Sequence, residues 1–142
     1  MRTRHRLVRL GATLAAAAVP LAVAPAATPA TAAPVATVAD PSLGRILATP
    51  GKFALYTWSR EKAGTIRCTG ACAKAWPPLT VRSAAKVPRR VAGVKGTFGT
   101  IRRPGGALQV THNGKALYTY RGDPRGIARC NNVDGWFAVK VR

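Results

Sequence analysis

The chain has 142 residues, with 23 lysines and arginines against 4 aspartates and glutamates, a formal net charge of +19. That length holds one domain and excludes a large multidomain enzyme, while 47% hydrophobic residues with 3 Trp, 3 Tyr and 3 Phe are enough for a small core and exclude a disordered chain. The carboxylates are Asp40, Glu61, Asp123 and Asp134 and the histidines His5 and His112, so a metal cage or an acid–base pair has few residues to draw on.

The N-terminus reads as an address. Residues 1–9 carry four arginines and no acid, Leu10 to Val19 is uncharged, and Ala30-Thr31-Ala32 is the small-x-small pattern before a cleavage site. This predicts a secretory signal peptide over 1–32, cut after Ala32. An uncleaved span over Leu10 to Ala27 is opposed by Pro20 and Pro25. No cysteine precedes Cys68, so the expected product is secreted, not lipid-anchored, and has no membrane span after cleavage. Residues 33–42 read as a flexible leader, ahead of a single domain over 43–142. Cleavage removes four bases and no acid, leaving 19 bases against 4 acids, a net +15.

Self-similarity organises the rest. Ala54-Leu55-Tyr56-Thr57-Trp58 recurs 62 residues on as Ala116-Leu117-Tyr118-Thr119-Tyr120; Glu61 and Cys68 map onto Asp123 and Cys130 at the same offset. Trp76 finds Trp136, and Leu43-Gly44-Arg45-Ile46 aligns with Phe98-Gly99-Thr100-Ile101. Two copies, about 43–81 and 97–142, make a pseudo-symmetric domain rather than a solenoid. The grammar is that of strands: Pro50-Gly51 and Asn113-Gly114 are turn dipeptides between apolar runs, and Trp136 to Val141 alternates. One short helix fits Thr69 to Trp76, stopped by Pro77-Pro78. The expectation is a mostly β domain of two related hairpin units with one short helix at the cysteine pair. A basic, polar connector over 82–96 joins them as an exposed loop.

These residues resemble a bacterial secreted or lipoprotein repeat family with a Y-x-[FWY]-x-x-D motif. It stands here as Tyr56-Thr57-Trp58-Ser59-Arg60-Glu61 and Tyr118-Thr119-Tyr120-Arg121-Gly122-Asp123, and the companion C-x-G-x-C-A-x-x-W-P-P as Cys68 to Pro78. The resemblance implies a small extracytoplasmic domain of undefined role. This chain departs from it in Glu61, whose acid reaches further, in the missing lipidation cysteine, and in Cys130, additional to the usual pair.

On a strand, Tyr56 and Trp58 share a face, as do Tyr118 and Tyr120. They fill core while Glu61 and Asp123 bond loop N–H groups or an arginine, or else they floor a ligand groove with a carboxylate at its rim. A secreted setting favours a disulfide between Cys68 and Cys72, with Cys130 free or an alternative partner for either. Neither metal nor cofactor is expected, since three cysteines and His112 match zinc only in number. No catalytic nucleophile pattern is present, and the domain is read as non-enzymatic. The leading expectation is attraction to anionic envelope polymers or lipid head groups through Arg82, Arg89, Arg90, Lys95, Arg102 and Arg103, with no specific nucleic-acid reading. The alternative is a thiol, redox or electron-transfer accessory using the cysteines; a hydrolase would need Glu61 and Asp123 in one cleft.

Overall fold

The computed structural model describes residues 32–142 together with Gly11, Val23 and Ala24; the expected signal peptide otherwise lies outside the described residues. Among the described residues no helix is long and apolar enough to cross a membrane.

Strand β1 (Ala36–Asp40) runs antiparallel to β2 (Gly44–Ala48), in register from Ala36↔Ala48 to Asp40↔Gly44. This corrects the flexible leader expected over 33–42. Its Ala/Thr/Pro composition resembles a linker, but Val35 is buried in the core and Asp40 closes the turn. Oδ1 of Asp40 accepts the N–H groups of Ser42 and Leu43, and Oδ2 that of Ala128, each at 2.8 Å. The chain turns at Thr49 to Lys52, where Lys52 is left-handed at φ 67, and enters β3 (Tyr56–Trp58).

Helix α1 (Ala71–Ala75) is five residues long, buries no side chain and ends at Trp76. A helix that short does not hold itself, and the Cys68–Cys72 disulfide fastens its start. Then come β4 (Thr80–Val81), a 3₁₀ turn (Ala84–Lys86), β5 (Phe98–Arg102), β6 (Leu108–His112) and β7 (Lys115–Ala116), with β6 pairing antiparallel to all three other strands. Asn113 and Gly114 both take positive φ, 51° and 79°, as the turn dipeptide predicts. Strand β8 (Trp136–Ala138) is shorter than the run to Val141 expected from its alternation; Lys140 then bridges Ile46.

The molecule is mostly β, built from hairpins with one short helix. The β5–β6 hairpin holds in the second unit the place that β1–β2 holds in the first, and Phe98 follows Ala36 by the same 62 residues that separate the tyrosines. Leu43–Ile46 and Phe98–Ile101 are therefore not counterparts, and the first unit begins upstream of residue 43. The tetrapeptides look alike because both carry a glycine two residues before an isoleucine, a short pattern that any strand entry can show.

The two units interlock. Tyr56 and Tyr118 exchange both backbone hydrogen bonds, at 2.8 and 3.0 Å, which places a local twofold between them. On its other side each tyrosine strand pairs with the segment following the other unit's tryptophan. Strand β3 pairs with β8, while Leu79 N–H donates to Leu117 and Thr119 N–H to Pro77. Alternation along these strands splits the core into two faces. Ile46, Tyr56, Cys68, Trp76, Tyr118 and Trp136 pack on one; Val35, Leu47, Leu55, Phe98, Val110 and Leu117 pack on the other. The connector is largely exposed, as expected, but its valines anchor it. Val87, Val91 and Val94 lie against the second core face, while Arg82, Lys86, Arg89, Arg90 and Lys95 stay exposed.

Candidate functional site: an aromatic column and its crossed acids

The motif aromatics build a column of four rings. Trp58 stacks on Trp136 (centroids 5.1 Å, planes 4° apart), Trp136 on Trp76 (3.9 Å, 7°), and Trp76 meets Tyr120 (4.6 Å, 37°). The inner two rings are buried; Trp58 and Tyr120 at the ends are half-buried. Tyr56 stands edge-on to Trp76 at 5.1 Å and Tyr118 edge-on to Trp136 at 5.2 Å. The local twofold thus relates Trp58 to Tyr120, Trp136 to Trp76 and Tyr118 to Tyr56.

The acids cross between units. Tyr56 donates its hydroxyl to Asp123 Oδ2 at 2.5 Å, and Tyr118 donates to Glu61 Oε1 at 2.8 Å. Each acid also accepts loop N–H groups of its own unit. Asp123 Oδ1 takes Arg129 N–H, and Glu61 Oε1 takes those of Arg67 and Cys68. The spacing Tyr to acid within one motif therefore never makes a bond in that motif. Sequence reasoning anticipated the bonded loop and missed the partner tyrosine, because the crossing depends on how the units pair. Glu61 crowds three donors onto one oxygen and leaves buried Oε2 without a partner, whereas the shorter Asp123 uses both oxygens.

Burial shapes the proton affinities here. It raises Tyr56, with the Asp123 bond adding to the effect; it pushes Tyr118 up to about 12, with Glu61 adding and Arg103 opposing. Burial also raises Asp123, despite the Tyr56 and Arg129 bonds that favour its charged form. At Asp40 burial acts the same way, but three backbone N–H donors outweigh it and the carboxyl is lowered.

Of the connectivities left open, Cys68 is joined to Cys72, and Cys130 is unpaired and half-buried, its thiol raised by burial with Tyr120 beside it opposing. Arg82, Arg89, Arg90, Lys95 and Arg102 are exposed. Arg103 corrects the expectation of a polyanion contact. It is half-buried, donating to Gln109 Oε1 at 2.6 Å and to the Cys68 carbonyl at 2.7 Å, so it is committed to the fold. Gln109, fully buried, passes the bond on to the Leu117 carbonyl at 2.7 Å, a structural role nothing in its sequence context marks. His112 Nε2 lies 2.8 Å from the Lys95 carbonyl. Among the described residues no three His, Cys, Asp or Glu side chains gather as a metal cage. Glu61 and Asp123 are both buried and hydrogen-bonded, and neither lines the open depression of about 540 Å³ formed by Ala33, Ser83, Ala85, Lys86 and Pro88.

Fold and site together define a small β domain made of two interlocked copies of an aromatic–acid motif, fastened by one disulfide. Residues 99–140, in the second copy, match the family model described as a secreted repeat of unknown function. Over those residues, the match agrees with the resemblance drawn from the motifs. No curated protein and no solved structure matches the chain.

Proposed function

We propose that the domain is a secreted, non-enzymatic module that binds anionic polymers or lipid head groups of the cell envelope by charge, without reading nucleic-acid sequence. One observation carries the reading: three of the four acids are turned inward and most of the bases outward. Beyond residue 32 there are 19 lysines and arginines and 4 acids. Asp40, Glu61 and Asp123 are buried in the hydrogen bonds of the fold, so Asp134 is the one exposed acidic side chain. A polyanion approaching within a Debye length, roughly 8–10 Å in ordinary salt, meets cations that almost nothing nearby neutralises. The connector supplies the densest group, since its valines anchor it while Arg82, Lys86, Arg89, Arg90 and Lys95 face solvent.

The test is sedimentation with vesicles containing anionic lipid and, separately, titration with a glycerol-phosphate polymer at rising salt. Binding should weaken steeply with salt. It should also fall about tenfold, ~1.4 kcal/mol, when Arg82, Arg89, Arg90 and Lys95 are replaced by Gln. Equal binding by that variant would reduce the charge to a solubility property.

A further inference from the structure

The aromatic cluster holds more chemistry than a core needs. Phenylalanine would fill the places of Tyr56 and Tyr118 without burying two hydroxyls and two carboxylates, whose desolvation opposes folding. Instead each buried phenol touches the tryptophan pair with its ring and a carboxylate with its hydroxyl. Indole and phenol are the side chains most readily oxidised by one electron without bond breakage in the ring. Here they lie in continuous contact from the half-buried Trp58 to the half-buried Tyr120.

We propose that this cluster is a one-electron redox centre, in which an oxidised tryptophan pair is discharged by Tyr56 or Tyr118 while the phenolic proton passes to Asp123 or Glu61. The electron transfer is carried by the rings, not by the cysteines, and the inference is independent of the charge reading. An oxidant of the organic or inorganic radical class takes one electron from Trp58 at the surface. Trp136 refills Trp58 and shares the vacancy with Trp76 through their 3.9 Å stack. Tyr118, edge-on to Trp136, or Tyr56, edge-on to Trp76, then supplies the electron. Its O–H proton moves along the existing hydrogen bond to the carboxylate. The oxidant has gained one electron, one phenol has become a neutral phenoxyl, and one carboxylate has become a carboxylic acid. A thiolate in the medium returns the electron, becoming a thiyl radical, and the carboxylic acid returns the proton.

The carboxylates make the step feasible. A phenol oxidised without losing its proton would leave a cation inside the core, which burial penalises heavily. With the acceptor already in place at 2.5 or 2.8 Å, the buried pair ends neutral. Burial already favours the protonated form of Asp123.

Pulse radiolysis with the azidyl radical, a selective one-electron oxidant of indole, tests this on the intact protein. The indolyl signal should convert to phenoxyl in a first-order step independent of protein concentration and slower in D₂O. Asp123→Asn with Glu61→Gln keeps an oxygen for each hydroxyl but removes the proton acceptor, so the phenoxyl yield should fall about tenfold. Near-ultraviolet circular dichroism should keep the signature of the stacked tryptophans. Asp40→Asn, which removes a buried carboxylate that accepts only backbone N–H groups and leaves the rings and both tyrosine–acid pairs intact, should change the yield little. Should the double variant not fold, Tyr56→Phe and Tyr118→Phe are measured singly and each should lower the yield. An unchanged yield in the acid or tyrosine variants, or an equal loss in Asp40→Asn, overturns the proposal.

Discussion

The two units place equivalent side chains by different local means. In the first, Trp76 follows a five-residue helix whose start is tied by Cys68–Cys72. In the second, Cys130 has no partner, and the chain reaches Trp136 through a knot of turns. Asn132, Asp134 and Gly135 take positive φ there, Asn132 N–H donates to the Trp136 carbonyl, and Asn131 Oδ1 accepts Ala138 N–H. Asp134 stands where the offset of 62 would put the second cysteine of the pair. Yet the tryptophans stack at 3.9 Å and each receives a tyrosine edge. What the halves share is the surface each offers the other; what they do not share is how each holds its own loop. The crossing, not the local fastening, is the structural content of the motif.

The sharpest way to break that comparison is at its centre. Trp136→Ala and Trp76→Ala should each cost ~3–5 kcal/mol, as for other buried aromatic truncations, and should agree within ~1 kcal/mol in denaturant unfolding. A large inequality would mean that one unit carries the fold. Next comes the fastening. Cys72→Ser opens a short loop and should cost ~2 kcal/mol, whereas Cys130→Ser, which breaks no covalent bond, should stay within ~1 kcal/mol by thermal unfolding. Asp134→Cys should not restore symmetry, because residue 134 sits at φ 49 in a turn that a cysteine fits poorly. A second, stabilising disulfide from Cys130 to the introduced thiol, seen in a mass measurement, would contradict this.

Smaller still is the difference among the arginines. Arg103→Gln removes two donors at a half-buried site and should cost ~1–2 kcal/mol, while Arg89→Gln and Arg90→Gln should each fall within ~0.5 kcal/mol. The ranking reverses for polyanion binding, which should follow the connector and ignore Arg103.

The subtlest expected effect is on pH. Asp40 is lowered below 3.8 by its backbone donors, so its contribution is present above that pH and is lost as pH falls through the folded value. Asp123 is raised above 3.8, so its contribution is full below that pH and is lost as pH rises through the folded value. Asp40→Asn should therefore flatten the acid limb of the melting temperature below about pH 4, and Asp123→Asn the decline just above it. Acid limbs that coincide with the parent's in both variants would show that neither group couples to folding as described.

Features set by neighbours in the chain were legible without coordinates. Asn113-Gly114 makes its turn because both residues accept positive φ, and Pro77-Pro78 ends α1 because proline has no N–H to continue it. The repeat, the mostly β character and the inward Tyr–Trp pairs follow from alternation that any strand enforces. Strand β1 was hidden because Ala36–Asp40 has little strand signal of its own; it forms because β2 offers an edge and Ala128 offers a donor to Asp40. Asp40-Pro41-Ser42 was its one local clue, an acid placed to close a turn. Arg103 beside Arg102 gave no sign that one of the two would be folded inward.

By itself, then, the order of residues determined which side chains face the core, where the chain turns, and that two copies of one motif exist. Only the tertiary structure decided that each acid serves the other copy's tyrosine, that four rings from both copies form one column, and that three of the four acidic side chains vanish from the surface. The reason is physical. A dihedral preference or an alternating face is settled within a few residues, whereas a hydrogen bond across 67 residues, such as Tyr56 to Asp123, exists only once the two units have closed on each other.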